Sequence, residues 1–315
     1  MQDNNSPTGK LSHLTIIVPV YNESDTILPF FDRISPVISQ AKSKYQVELL
    51  FLNNASTDDS YHIISKLRDQ FSFIYLISMS KNVGYQKSIE CGLKSAKGDI
   101  FVVIDVDCED PPEMILDFLG HYENGFDLVY GERSDRNENW LIKRCRKFFY
   151  HIVRRVGDDE IILYMAEFAL FTSEVRDAVI DSQDSFPFLR SSIARVGFRR
   201  IGVSYKRQTR IAGKTHYNLY GMTVFAIASI LSSTTLPLRL PIYLLPGWIL
   251  GSVSLLWAYF VSGSYYFILA AFLLSTIYLG GSVSAIALYL ARTYKNGLQR
   301  PNYFIHERYS FLQAK

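Results

Sequence analysis

The sequence predicts an α/β domain, built on a mostly parallel sheet with flanking helices, followed by two membrane-spanning helices. Three observations support this. Short apolar runs rich in β-branched residues alternate with helical segments over the first third of the 315-residue chain, a pattern typical of parallel sheets. Polar clusters follow several of these runs, where ligands bind in such sheets. A long uncharged stretch lies nearer the C-terminus.

The predicted strands and helices alternate regularly along the soluble part of the chain. The predicted strands are 14–20, 47–52, 73–78 and 100–104, and the predicted helices are 24–41, 59–70 and 86–96. Because the carboxyl ends of parallel strands meet at one edge of a sheet, we expect the polar clusters that follow three of the strands to lie together. These clusters are Tyr21-Asn22-Glu23, Asn53-Asn54 and Asp105-Val106-Asp107.

The uncharged stretch Leu240–Ala291 contains no Asp, Glu, Lys, Arg or His. It is too long for one membrane span of about 20 residues, and it divides at Ser262-Gly263-Ser264 into spans at Ile242–Val261 and Tyr265–Ala291. Arginine and lysine flank the pair on its outer sides only, so the positive-inside rule places both termini in the cytoplasm. We therefore expect a multi-pass protein of the inner (plasma) membrane with a cytoplasmic soluble domain; two long buried core helices are the alternative.

The predicted organisation has four parts. These are a cytoplasmic domain at 1–218, an interfacial helix at 219–241 that ends at the prolines, a transmembrane hairpin at 242–291 and a basic cytoplasmic tail at 292–315. The net charge of +3 hides an uneven distribution, because no carboxylate occurs from Ser185 to His306. The basic run of Arg190, Arg195, Arg199, Arg200, Lys206, Arg207, Arg210 and Lys214 is expected to face anionic lipid or bound phosphate.

Several function classes are excluded by motif. The chain has no GxGxxG, no GxxxxGK[ST], no HExxH and no GxSxG, so the usual dinucleotide, phosphate-loop, zinc-protease and serine-hydrolase sites are not expected. Its three cysteines match neither a zinc site nor a CxxC pair, and they are expected to be reduced. The polar N-terminus predicts no signal peptide, and no nucleic-acid partner is expected.

Asp105 and Asp107 carry the sharpest local signal. Two carboxylates one residue apart, at the end of a buried strand, can hold a divalent cation against a diphosphate. Glu109 offers a further oxygen, and Pro111-Pro112 open the next helix. A solvated turn is the alternative explanation for such a pair, but the apolar strand before it favours a metal-bridged diphosphate.

Spaced motifs over almost the whole chain resemble the family 2 glycosyltransferases. More narrowly, they resemble the polyprenyl-phosphate members, which include dolichyl-phosphate mannose synthase and the bacterial undecaprenyl-phosphate (bactoprenol) glucosyltransferases. The motifs are Val18-Pro19-Val20-Tyr21-Asn22-Glu23, Asn53-Asn54-Ala55-Ser56-Thr57-Asp58, Asn82-x-Gly84, the Asp105–Glu113 segment in place of D-A-D-L-Q-D-P-P-E, Arg210–Tyr217 in place of R-x-x-G-x-S-x-Y, and the tail from Tyr289.

The resemblance implies a GT-A fold, a nucleotide-sugar donor (UDP-linked in our interpretation), a polyprenyl phosphate acceptor such as undecaprenyl phosphate, contact with membrane lipids and a homotetramer. Pro19, Tyr21, Glu23 and Asn53 would line the nucleoside pocket, and Asp105, Asp107 and Glu109 would hold Mg²⁺ or Mn²⁺. Arg210 would contact the diphosphate, with Thr215 closing its loop. Arg133, with Arg144 or Arg146, would bind the acceptor phosphate. Asp107, Arg133 and Arg210 are the predicted catalytic residues.

A phosphate monoester has a second pKa near 6, so its dianion can attack without a strong base. In-line attack at the anomeric carbon would invert its configuration, and we therefore expect inverting transfer. Three segments depart from the family pattern. Asn53-Asn54 replaces an acidic pair, Glu109 replaces a glutamine, and Glu167-Phe168-Ala169-Leu170 replaces D-F-R-L. A non-catalytic membrane protein that keeps the fold is therefore one alternative. A processive polysaccharide synthase is another, although its Q-x-x-R-W motif is missing.

Overall fold

The computed structural model describes residues 11–133, 144, 165–181, 189–212, 231 and 234–311. These residues form two compact units. The first contains 11–133, 165–181, 189–212 and 301–311, and the second contains 144, 231 and 234–300. The chain therefore leaves the first unit and comes back to it near the C-terminus.

A seven-stranded sheet organises the first unit in the order β3-β2-β1-β4-β6-β5-β7. The strands are β1 (Ser12–Val20), β2 (Tyr45–Asn53), β3 (Ile74–Ser78), β4 (Ile100–Val103), β5 (Leu128–Arg133), β6 (Met165–Thr172) and β7 (Arg200–Tyr205). β6 runs antiparallel to both of its neighbours, and every other pairing is parallel. The predicted mostly parallel sheet is confirmed, and all four predicted strands are present.

Helices cover both faces of this sheet. They are α1 (Ser24–Ala41), α2 (Ser60–Gln70), α3 (Tyr85–Ser95), α4 (Met114–Glu123), α5 (Ser173–Ile180) and α6 (Leu189–Val196). Consecutive residues of β1 belong to different hydrophobic clusters, Ile16 to one face and Ile17 to the other, and both are fully buried. Burial on two faces explains why the strands read as unbroken apolar runs rather than as an alternating pattern.

The second unit contains two long apolar helices, α7 (Leu236–Ser262) and α8 (Tyr265–Gly297). Both are long and apolar enough to cross a membrane by length and composition. Gly263 ends α7 in the left-handed conformation with a φ of 68°, which glycine adopts without steric cost. Trp248 stacks on Tyr278 with ring centroids 4.9 Å apart, so the two helices pack side by side.

The first apolar helix differs from its prediction at its start. We expected an interfacial helix to end at the prolines, whereas α7 begins at Leu236 and continues through Pro241 and Pro246. Proline in the first turn costs little because the amides there have no partner within the helix. Further along, prolines are tolerated in apolar helices where other groups satisfy the freed backbone. The Tyr278 hydroxyl also donates to the carbonyl of Pro241 at 3.1 Å, which joins α8 to this part of α7. Residues 219–230 of the predicted interfacial helix lie outside the described residues.

Residues 301–311, here called the C-terminal strap, pair with the edge strand β3. The strap makes antiparallel bridges from Phe311 to Leu76 and from Ile305 to Met79, with one 3-10 turn at Glu307–Tyr309 between them. Its side chains Tyr303 and Phe311 pack against the core clusters. The edge of the sheet is thereby covered, which removes a surface prone to self-association.

Candidate active site

Three loops at one edge of the sheet contain residues with left-handed backbone. Asn22 follows β1, Ala55 follows β2 and Cys108 follows β4, with φ values of 55°, 56° and 56°. Non-glycine residues in this region are strained by roughly 1 kcal/mol or more each, and such strain concentrates at functional sites. The three parallel strands bring these loops together, so strain and polar side chains coincide where the sequence predicted the site.

Asp105 is held by a buried tyrosine from α3. The hydroxyl of Tyr85 donates to Oδ1 of Asp105 at 2.6 Å. Burial, together with the nearby carboxylates of Asp107 and Asp110, raises the pKa of Asp105 to about 7. An isolated negative charge is therefore unfavourable at this position, and a cation beside it would stabilise the ionised form.

Asp107 faces an arginine that also contacts the first loop. Nη1 of Arg210 donates to Oδ2 of Asp107 at 3.1 Å, and Nη2 of the same guanidinium pairs with the Glu23 carboxylate. Burial raises the pKa of Asp107, and the charge of Arg210 acts in the opposite direction. One guanidinium thus joins the loop after β1 to the loop after β4.

The segment 206–212, which follows β7 and is here called the closing loop, lies against the Asp105–Asp110 loop through its backbone. The amide of Gln208 donates to the carbonyl of Glu109 at 2.8 Å, and the amide of Ile211 donates to the carbonyl of Asp107 at 3.1 Å. Arg207 adds an ion pair with the Glu109 side chain. The loop that contains Arg210 is therefore anchored directly on the predicted metal-binding segment.

The donor set at this edge fits a hard divalent cation. Each of the three predicted ligands has a neighbour, Tyr85 for Asp105, Arg210 for Asp107 and Arg207 for Glu109. Within the part of the chain that the structure describes, no three His, Cys, Asp or Glu side chains are grouped to hold a metal by themselves. Mg²⁺ is commonly bound through one or two carboxylates and the substrate's phosphates, so Asp105 and Asp107 suit a cation that arrives with a diphosphate.

Arg133 lies in a buried cluster with Asp110 and Tyr205. Its Nη2 donates to both Asp110 oxygens at 3.1 and 3.2 Å, its Nε donates to the Tyr205 hydroxyl at 3.2 Å, and that hydroxyl also contacts Asp110. Burial acts to lower the pKa of Arg133, but Asp110 and Tyr205 raise it by more. The cluster ties the ends of β5 and β7 to the Asp105–Asp110 loop.

The predicted nucleoside pocket combines a fixed amide side chain with an exposed aromatic ring. Asn53 is buried, and its amide is fixed at both ends, since Oδ1 accepts from the Ser56 amide at 3.0 Å and Nδ2 donates to the Ser78 hydroxyl at 3.2 Å. Pro19 is buried beside it on β1, whereas Tyr21 is 36% exposed at the end of the same strand. Tyr21 therefore has the accessible ring on which a base could stack.

Some predicted site residues cannot be placed in this cleft. Thr215 and Arg146 lie outside the described residues, and Arg144 belongs to the second unit. The basic run is expected to face lipid or phosphate. Three of its members also form ion pairs with carboxylates of the first unit: Arg190 with Glu167, Arg207 with Glu109, and Arg210 with Glu23 and Asp107.

Sequence reasoning missed the tyrosines and one aspartate. Tyr85, Tyr205 and Asp110 all contact predicted site residues, yet no local pattern marks them. Asp110 was quoted only as part of the longer motif, and the signal available was that a carboxylate follows Asp105 and Asp107 closely enough to share their cleft. Tyr205 is the last residue of a strand whose partner became known only from the fold.

The mostly parallel sheet with acidic loops at its strand ends is consistent with the GT-A fold, and the two apolar helices suggest membrane association. The model of the family "Glycosyl transferase family 2" matches residues 15–197, more than half of the chain. The chain belongs to this family and is a glycosyltransferase, as its motifs indicated.

Curated relatives match almost the whole chain. "Uncharacterized glycosyltransferase YkcC" of Bacillus subtilis is 31% identical over 94% of this chain and 94% of its own. "Uncharacterized glycosyltransferase sll0501" of Synechocystis is 29% identical over 93% and 95%. "Prophage bactoprenol glucosyl transferase homolog" of Escherichia coli is 30% identical over 93% and 98%. The similarity therefore includes the two apolar helices as well as the sheet.

Proposed function

We propose that this glycosyltransferase moves a sugar from a nucleotide diphosphate sugar, UDP-linked in our assignment, to a polyprenyl phosphate. The observation that carries the proposal is the meeting of Asp105, Asp107 and Arg210 at the strand ends, with Arg210 anchored by the closing loop. Carboxylates and a guanidinium on one cleft suit a diphosphate bridged by a cation. Relatives named as bactoprenol glucosyl transferases support a lipid phosphate acceptor.

On the donor side, Tyr21 and Asn53 would bound the nucleoside while Asp105, Asp107 and Glu109 would hold Mg²⁺ or Mn²⁺ on the diphosphate. When bound, the cation supplies charge neutralisation of the departing nucleoside diphosphate. Arg210 would turn from Asp107 to the diphosphate as the donor enters, and Thr215 would help to close the same loop. Glu23 would keep the guanidinium in place during that exchange, because it contacts Nη2 and not the Nη1 that contacts Asp107.

On the acceptor side, the phosphate dianion is the nucleophile. One of its oxygens forms a bond to the anomeric carbon as the bond from that carbon to the diphosphate oxygen breaks, and attack from the opposite face inverts the configuration. The protein has to position two anions, and Arg133, with Arg144 or Arg146, would hold the acceptor phosphate. Asp110 and Tyr205 fix the direction of the Arg133 fork.

The membrane placement follows from charge. Arg239 lies near the start of α7, and Arg292 and Lys295 lie near the end of α8, with no charge between the two helices. The positive-inside rule then puts the catalytic domain and both termini in the cytoplasm, with the domain working at the inner face of the plasma membrane. The proposed parts are the domain 1–218, the juxtamembrane segment 219–241, the hairpin 242–291 and the tail 292–315.

The testing experiment is a donor screen on the full chain in detergent or nanodiscs. UDP and GDP sugars are incubated with undecaprenyl phosphate and Mn²⁺, and release of nucleoside diphosphate is followed. We expect release from one donor that requires the lipid and is stopped by EDTA. Release without lipid, products of many sugar units, or no release by a folded protein would contradict the proposal, and the last result would favour a non-catalytic role.

A further inference from the structure

The face of β6 that borders the cleft carries a buried carboxylate. Glu167 is 6% exposed, and Gln86 of α3 donates to its Oε1 at 3.1 Å. Val103 of β4 pairs with Ala169 of β6 in an antiparallel register. Continued for two residues, this register places Glu167 level with Asp105. The electrostatic influence of Glu167 on both Asp105 and Tyr85 agrees with that placement.

Arg190, in the first turn of α6, approaches the same carboxylate. Its Nε lies 2.8 Å from Oε1 of Glu167. The contact is close enough for an ion pair but is not aligned as a hydrogen bond, because both Nε of Arg190 and Oε2 of Glu167 are buried without a hydrogen-bond partner among the described residues. The two-pronged geometry that strengthens arginine–carboxylate pairs is therefore absent from this contact.

Arg190 nevertheless remains open to a ligand. Its side chain is 32% exposed while that of Glu167 is 7% exposed, so the arginine reaches from the buried carboxylate towards solvent. Its position is also fixed, since Gln86 accepts from the amide of Leu189 at 3.0 Å and donates to Glu167. A guanidinium that contacts a buried carboxylate on one side and has further N–H donors on its exposed side is suited to bind an oxyanion.

The other two arginines assigned to the cleft, Arg210 and Arg133, already have partners. Arg210 is committed to Glu23 and Asp107 on the donor side, and Arg133 already donates to Asp110 and Tyr205. Position 169, two residues along β6 from Glu167 and on the same face, is a fully buried alanine where the family pattern has arginine. No cation can come from the strand at that position.

We propose that Arg190 supplies the acceptor-side cation that this strand lacks, with Glu167 and Gln86 as its positioning residues. The ligand is the phosphate monoester of the acceptor lipid. The inference rests on the proposed function and deepens it. The sequence indicated only that the whole basic run faces lipid or phosphate, whereas here one residue of α6 is assigned a contact with the acceptor phosphate. Arg190 and Arg133 would then approach the phosphate from α6 and from β5.

The test compares Arg190→Ala with Lys66→Ala, an exposed cation on α2. Full-length protein is assayed for the KM of undecaprenyl phosphate and of the donor, and its binding to undecaprenyl phosphate and to uncharged undecaprenol is measured without donor. We expect R190A to raise the lipid-phosphate KM by at least about tenfold, the effect of losing a charged hydrogen bond, with the donor KM within twofold. Binding of undecaprenol should not change, and K66A should behave like the unchanged protein.

A second variant guards against a merely structural effect. Arg190→Lys keeps a positive charge beside Glu167 while removing the guanidinium fork, and we expect it to recover part of the lipid-phosphate affinity that Arg190→Ala loses. Equal effects of R190A on donor and lipid, or unchanged binding of the lipid phosphate, would overturn the inference. Absence of lipid-dependent turnover in the unchanged protein would overturn the proposed function instead, and the binding comparison would still decide the role of Arg190.

Discussion

Nη1 of Arg210 lies 3.1 Å from Oδ2 of Asp107, although 103 residues separate them in the chain. The protein thereby places its own cation against the carboxylate that we assign to a divalent metal. The same guanidinium contacts Glu23, so the charges of both strand-end loops are balanced by one side chain. In the proposed function, donor binding replaces the contact of Arg210 with Asp107 by a contact of the divalent cation with Asp107.

Asp107→Ala is expected to reduce transfer by about a thousandfold or more, because the diphosphate loses a ligand to its cation and the departing charge is less stabilised. Circular dichroism and size-exclusion chromatography should show an unchanged fold. Asp117→Ala, an exposed carboxylate on α4, is the matched control. Normal turnover of the Asp107 variant would remove this residue from the metal site.

Arg210→Ala should change turnover and metal affinity in opposite directions. Turnover should fall by roughly 100-fold, since a charge-assisted contact to the diphosphate is lost. Binding of Mn²⁺ to the protein without donor should become tighter, because a competing positive charge has gone from Asp107. Titration followed by electron paramagnetic resonance of free Mn²⁺ measures this, with Arg199→Ala as control. Weaker Mn²⁺ binding would show that Arg210 organises the carboxylates rather than competing with the metal.

Asp110→Asn is expected to lower the free energy of unfolding by about 3 kcal/mol or more, because it leaves the buried Arg133 guanidinium without its counter-charge. The side chain of Asp110 is 2% exposed. Glu113→Gln is the comparison, since Glu113 is 53% exposed in its pair with Arg33, and exposed pairs contribute about 1 kcal/mol or less. Urea unfolding of both variants in the same detergent tests this. A loss for Asp110→Asn as small as that for Glu113→Gln would mean that Asp110 is dispensable to the fold.

Removal of the C-terminal strap should expose β3. A chain that ends at Arg300 loses the pairing of Phe311 with Leu76 and the contact of the Ser310 hydroxyl with the Ser78 amide at 2.9 Å. We expect faster hydrogen exchange at Leu76, Ser78 and Ser80, followed by self-association at the open edge. A chain lacking only residues 312–315 is the control. Unchanged exchange at these three amides would show that the strap adds no protection to the edge.

The part of the fold that sequence could predict is the part where burial determines composition. β1 and β2 read as strands because both of their faces are covered, as Ile16 and Ile17 illustrate. The two apolar helices were recognised because the stretch has no charge, and the break at Gly263 was visible in the chain. The start of α7 was predicted too late because Pro241 was weighed as a helix breaker, whereas α7 continues through it.

The contacts of the site were beyond sequence reasoning for a different reason. Asp105 and Asp107 were recognisable because only Val106 separates them in the chain, but the side chains that pair with them come from α3 and from beyond β7. Tyr85 and Arg210 reach them only because the sheet order brings those elements together. Arg190 likewise was one of eight basic residues in a run, and its pairing with Glu167 depends on the antiparallel placement of β6.

The strap also determines when the enzyme is completed during synthesis. Ser310 meets Ser78 across 232 residues of chain, and both apolar helices are translated in between. The ribosome therefore has to make the two helices before the last strand pairing of the first unit can form. Since domains generally begin to fold during translation, an early form of this unit would have an unprotected sheet edge until the strap is made.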